Sequence, residues 1–140
     1  TPHAAKSEDG ITYFGYEMNI KGTLLDYIAF GGGDEWTSNI HFPWQSEGVL
    51  IATSFDGTLN DHTDVDQGWI LEIAIPHDNF RHLGGQIPPR DGDIWRAGLN
   101  RTAGHQGQHG LWSDTHSANA SFHHATRFGK LIFSAKTIGD

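Results

Sequence analysis

Apolar and polar residues alternate along much of this chain, and the clearest case is WILEIAIP at 69–76. Trp69, Leu71, Ile73 and Ile75 fall on one side of the run, and Glu72 and Ala74 on the other. A period of two is the repeat of a β-strand, whose side chains point alternately to opposite faces. Pro76 stops the run, because proline has no N–H to give a ladder. TYFGYEMNI at 12–20 alternates in the same way. Lys21-Gly22 is a turn signal, and TLLDYIAF at 23–30 follows as a second strand, so the two predict a hairpin. VLIATSF at 49–55 is β-branched and runs into the turn pair Asp56-Gly57. The predicted strands are 13–20, 24–29, 49–55, 69–75, 94–100 and 130–133.

The intervals carry breakers rather than a helical period. Residues 1–10 are polar and read as a tail or loop. Gly31-Gly32-Gly33 interrupts regular structure. The stretch 34–47, with Trp36, His41, Pro43 and Trp44, reads as a loop holding one short strand near 38–42. DNFRHL at 78–83 predicts a single helical turn with Asp78 as its N-cap. GGQIPPRDGD at 84–93 is a loop, and Trp112 starts a further short strand. Six to eight short strands and almost no helix predict an all-β fold. The expected form is an antiparallel β-sandwich of jelly-roll or immunoglobulin-like type.

Composition narrows the class. At 140 residues the chain fits one domain, spanning 1–140. A formal charge of −8 with only nine Lys and Arg argues against nucleic acid, whose affinity rests on cations neutralising phosphates. No apolar run approaches the roughly 20 residues that span a bilayer, so no membrane insertion is expected. The absence of cysteine excludes disulfides and thiolate metal sites. No initiator Met and no signal peptide are present at Thr1, as expected of a processed chain or a piece of a longer one.

Three groups of residues carry candidate chemistry. Tryptophan planes suit the flat C–H faces of sugar rings, with Asn, Asp or Arg beside them for the hydroxyls. Trp112, in a Gly- and His-rich loop, and Trp36 and Trp44, in the breaker-rich loop, are the candidates. Arg96, Asn100, Arg101 and Asp114 are the polar groups nearby. Trp69 and Trp95 sit in alternating strands and are expected in the core. The loop DGTLNDHTDVDQG sets hard oxygen ligands at Asp56, Asn60, Asp61, Asp64 and Asp66, which suits Ca²⁺. Asp and Asn also dominate turns because they bond nearby backbone, so a plain turn is the competing reading. Ten histidines include His105, His109, His116, His123 and His124, but their spacing matches no zinc motif. Glu17, Asp26 and Glu72 are acids by type alone, and no nucleophile elbow, P-loop or dinucleotide fingerprint is present, so a non-catalytic role is expected.

Taken in order, YEMNIKGTLLDYI, then DGTLND with D-x-D-x-GW-x-L-E-I-A-I-P, then GD-W-R-x-x-x-N-R, W-S, S-F-H and R-F-G-x-L-x-F resemble carbohydrate-binding modules of family 9 and their relatives. The resemblance runs from Tyr13 to Phe133. It implies a β-sandwich of a secreted, periplasmic or cell-surface protein that binds a glycan or polysaccharide, with Trp112 as stacking residue and calcium as a frequent companion. The related DOMON type holds b-type haem on a Met and a His or Lys. Here Met18 is the sole Met and reads as core packing. The family's upstream W-D-D-x-x-L-Y-like segment does not precede Tyr13. The resemblance therefore also implies that another chain, or an earlier part of the same product, covers an open sheet edge.

Overall fold

A computed structural model of the chain describes residues 6–7, 10–30, 39–83, 86–103, 107–117 and 121–137. Among these the fold is all-β, and every ladder is antiparallel. β1 (Lys6–Ser7) pairs with β2 (Gly10–Ile11). β3 (Tyr13–Met18), β4 (Leu24–Phe30) and β5 (Asn39–His41) form a three-stranded sheet. β6 (Leu50–Asp56) pairs with β7 (Gly68–Ala74). β8 (Ile94–Ala97) pairs with β11 (Gly129–Ile132), and β9 (Asn100–Ala103) with β10 (Gln108–Leu111). Helical structure is limited to 3₁₀ turns at His77–Leu83 and Ala125–Arg127.

The alternation at 12–20 predicts a strand to residue 20, but β3 ends at Met18. Asn19 takes over there: its side-chain oxygen accepts the N–H groups of Lys21 and Thr23, both at 3.0 Å, and Gly22 turns at φ +76°. An Asn side chain bonding backbone two and four residues on closes the turn and ends the strand. The 94–100 run is also divided. It leaves the β11 ladder at Ala97 and enters the β10 ladder at Asn100. Gly98 bridges the two, with the Phe128 ring so near that a Cβ there would lie 3.1 Å from it. The described residues of the 1–10 stretch, 6–7 and 10, belong to β1 and the start of β2. The stretch read as one loop before Trp112 contains β10, whose Gly-, His- and Gln-rich sequence carries no apolar alternation to announce it.

The β3–β4–β5 sheet is covered on both faces. On one, Tyr13, Tyr27 and Ala29 pack with Ala125, Ile40 and Phe128. Tyr13 meets Phe128 edge-on at 5.4 Å, and its hydroxyl lies 2.6 Å from His123 Nδ1. The Tyr27 ring lies so closely across Gly15 that no Cβ fits between them, and its hydroxyl donates to Glu17 at 3.1 Å. Burial, then the Glu17 carboxylate and Tyr13, hold the Tyr27 phenol well above its ordinary pKa. On the other face Phe14 meets Trp44 at 4.8 Å and Phe80 at 5.1 Å. Phe80 meets Trp95 at 5.1 Å, and Trp95 meets Phe133 at 4.8 Å. Aromatic contacts thus join this sheet to the β8–β11 pair.

Asp26 is buried on that second face and accepts both the N–H and the hydroxyl of Ser46, at 2.6 and 2.5 Å. Tyr16 stands opposite Asp26 in the ladder, and its buried hydroxyl has no hydrogen-bond partner among the described residues. Burial and the Asp26 charge raise its pKa strongly, while Ser46 tempers the rise without reaching hydrogen-bonding geometry.

Candidate functional site

Trp112 follows β10, and its N–H donates to the Leu99 carbonyl at 2.9 Å, extending the β9–β10 ladder by one step. The six-membered ring lies across Gly129 of β11, where an added Cβ would come within 2.7 Å of Cζ3. Ser113 Oγ donates to the Arg127 carbonyl at 2.8 Å and pins the next residue to the same segment. The indole is thus seated by backbone on two sides yet 52% exposed. Leu99, also exposed, stands across the ladder from it.

The polar residues expected around it divide. Asn100 is exposed and pairs with Leu111, one step from Trp112. Arg96 donates from Nη1 to the Phe128 carbonyl at 3.0 Å, which ties it to the segment before Gly129. Asp114 accepts the His116 N–H at 2.7 Å and lies 3.1 Å from His116 Nδ1, so its oxygens are engaged within their own turn. Arg101 pairs with Gly110, two ladder positions from the Leu99–Trp112 step, and so belongs to the Trp112 face of the ladder, opposite to that of Asn100. Its guanidinium lies 5.8 Å from the Trp69 ring centroid. Trp44 is half-buried against Phe14 and Tyr16 and offers Trp112 no facing plane. Trp36 lies outside the described residues.

Trp95 is core, 7% exposed, as its alternation predicts. Trp69 is not: it is 43% exposed. It does share the inner face of β7 with Leu71 and Ile73, so the alternation assigns the face properly. Trp69 lies at the loop end of the β6–β7 hairpin, however, beyond the point where other elements cover that face. There it lines a cleft of about 440 Å³ with Phe55, Asp56, Asp66, Gln67 and Arg101. The available signal was position: Trp69 directly follows the acidic loop and Gly68, at the mouth of the strand.

The acidic loop is built by hydrogen bonds of its own. Asp66 Oδ1 accepts the Thr58 N–H at 2.9 Å and packs against Gly57, which has φ +150°. Thr58 Oγ1 donates to Asp64 at 2.5 Å. Asp61 accepts from both the N–H and the hydroxyl of Thr63, and these two bonds lower its pKa. Asn60 takes a left-handed turn conformation at φ 59°, one that Asn tolerates better than most residues. The Asp56 carboxylate has no partner among the described residues, while its carbonyl accepts the Gln67 N–H at 2.9 Å. Asp56, Asn60, Asp61, Asp64 and Asp66 thus share one loop, and among the described residues no three His, Asp or Glu side chains converge as a metal-ligand group.

The histidines are dispersed. His109 packs edge-on against Phe122 at 5.4 Å, His116 pairs with Asp114, and His123 with Tyr13. His105 lies outside the described residues. Met18 is half-buried at the end of β3. Glu17 and Asp26 occupy opposite faces of the β3–β4 ladder, and Glu72 is exposed on β7. No helix among the described residues is long and apolar enough to cross a membrane. Comparison with known proteins gives no matching family model, no matching curated protein and no matching solved structure.

Proposed function

We propose that this chain is a non-catalytic carbohydrate-binding β-domain acting outside the cytoplasm, on a secreted, periplasmic or cell-surface protein, with Trp112 as its stacking platform. One observation carries the reading: the Trp112 indole is held in place by Leu99 and Gly129 yet stays half-exposed. A large apolar plane kept in water costs solvation free energy, and a preorganised one gives a flat ligand a surface with little left to order. Pyranose C–H faces fit such a plane. Titration of soluble oligosaccharides into the protein and into Trp112→Ala, followed by calorimetry, tests this. Binding lost in the variant supports it; equal binding by both removes Trp112 from the site.

A second reading has its own support. The outer face of the β6–β7 hairpin leaves Leu50 and Ile70 at 70% and 62% exposure, and β6 and β7 are each hydrogen-bonded along one edge only among the described residues. Ile94 and Ile132, cross-strand partners on β8 and β11, are also exposed. Apolar faces and open edges of this kind suit an assembly domain whose sheet is completed by a neighbouring chain. Sedimentation across a concentration series separates the readings: a monomer at all concentrations disfavours assembly between copies of this chain.

A further inference from the structure

We propose that the cleft between the acidic loop and Arg101 is a second binding site, separate from Trp112, and that it takes a neutral pyranose sugar. The choice of a sugar rests on the reading above; the site itself rests on its own geometry. Phe55 and Trp69 are direct cross-strand partners on β6 and β7. Their side chains therefore stand side by side on one face and form an apolar floor. Both remain more than 40% exposed, although they belong to the face that turns inward further along the hairpin. The cleft above them holds about 440 Å³, within the range of roughly 300–1,000 Å³ usual for small-molecule sites.

The polar groups at this floor have opposite hydrogen-bonding sense. Arg101 brings a guanidinium to the Trp69 ring, and no carboxylate of the described residues forms an ion pair with it. Its N–H donors have no hydrogen-bond acceptor among the described residues. Asp56, at the loop end of β6, also lines the cleft and carries a carboxylate with no hydrogen-bond partner among the described residues. A ligand that satisfies both must donate and accept at neighbouring points around an apolar face. Vicinal hydroxyls on a pyranose ring do this. An anionic sugar or a phosphate would meet Arg101 but also Asp56 and Asp66, and like charges at short range disfavour it. A cationic ligand would meet Arg101 with the same penalty.

The five tryptophans allow a direct test. Each contributes one indole N–H signal to a ¹H–¹⁵N spectrum, assignable through single Trp→Phe variants. Methyl β-glucopyranoside, cellobiose and xylobiose are titrated in turn, with methyl β-glucuronide as the charged comparison. The proposal expects saturable movement of the Trp69 signal by a neutral sugar. It also expects at least tenfold weaker binding at that signal in Asp56→Asn and in Arg101→Leu, with no change in Trp112→Ala. Movement of Trp112 alone overturns the second site and leaves the proposed function standing. Movement of neither signal by any sugar overturns both. Tighter binding of the glucuronide than of the neutral glucoside overturns the neutral class. Dispersed indole signals in each variant, five where every Trp is kept and four in Trp112→Ala, show that the fold persists.

Discussion

Replacing Trp112 and Trp95 by alanine, separately, is expected to give opposite signatures. A Trp side chain offers up to about 250 Å² of surface. Trp112 keeps 52% exposure, so roughly 120 Å² is taken from water. At about 25 cal/mol per Å² that is about 3 kcal/mol as an upper bound, and a compact denatured chain lowers it to about 2. Trp95 is 7% exposed and wedged between Phe80 and Phe133, with His77 edge-on at 5.9 Å. Its removal leaves a cavity, and large-to-small changes of this kind cost about 3–5 kcal/mol. In a domain of this size each kcal/mol moves Tm by roughly 3–4 °C. Trp95→Ala should therefore lower Tm by about 10–20 °C, and Trp112→Ala by only about 6–8 °C. Circular-dichroism melts read the stability, and calorimetric titration with an oligosaccharide at a temperature where all three proteins are folded reads the binding. Trp112→Ala should lose the component of sugar binding that belongs to the Trp112 platform, while any folded Trp95→Ala should keep it. A Trp112→Ala protein as unstable as Trp95→Ala would show that the indole is core and would refute the platform.

Three further outcomes are expected. Gly15→Ala should destabilise by about 1–3 kcal/mol, because its methyl enters the space of the Tyr27 ring, and the penalty should vanish in a Tyr27→Ala background; additivity in the double-mutant cycle would contradict the packing described. Tyr16 and Tyr27 are two of the three tyrosines, and their pKa values are raised in the folded state, so the native protein holds protons that the unfolded chain releases above about pH 10; stability is full below that pH and falls above it, and phenolate absorbance from these two should stay silent at pH 11 until the protein unfolds. Thr58 and Thr63 already engage Asp61, Asp64 and Asp66, so EDTA should leave the melting curve unchanged, whereas a lower Tm on chelation would install Ca²⁺ in the 56–66 loop.

Most strands were legible because alternation is a local signal. β4, β6 and β7 lie within a residue or two of the positions that Leu24, Ile51 and Trp69 announce. Alternation also gave the inner face of β7, but not how far along that face a neighbour reaches, and this misplaced Trp69 in the core. β10 was missed because Gln108, His109 and Gly110 pair through backbone alone. The buried Asp26–Ser46 bond and the Tyr13–His123 contact, 110 residues apart, have no local signature at all. At the candidate site, the exposure of Trp112 agrees with its place in a Gly-rich loop. The reach of Arg101 to Trp69 depends on how β9 lies against β7, and the unpatterned sequence NRTA does not tell.

Gly129 gives the Trp112 platform a late birth. Most ladders of this fold join strands that are neighbours in sequence, and such hairpins form within microseconds of being made. β8 and β11 are the exception, since they pair across the whole of β9, β10 and the following turn. Closing so long a segment costs chain entropy that local hairpins never meet, so this ladder assembles after them. The seat beneath the indole is part of that last ladder. In a nascent chain the β9–β10 hairpin can therefore bring Trp112 to Leu99 before Gly129 exists to seat its ring, and the platform is complete only when the final strand docks.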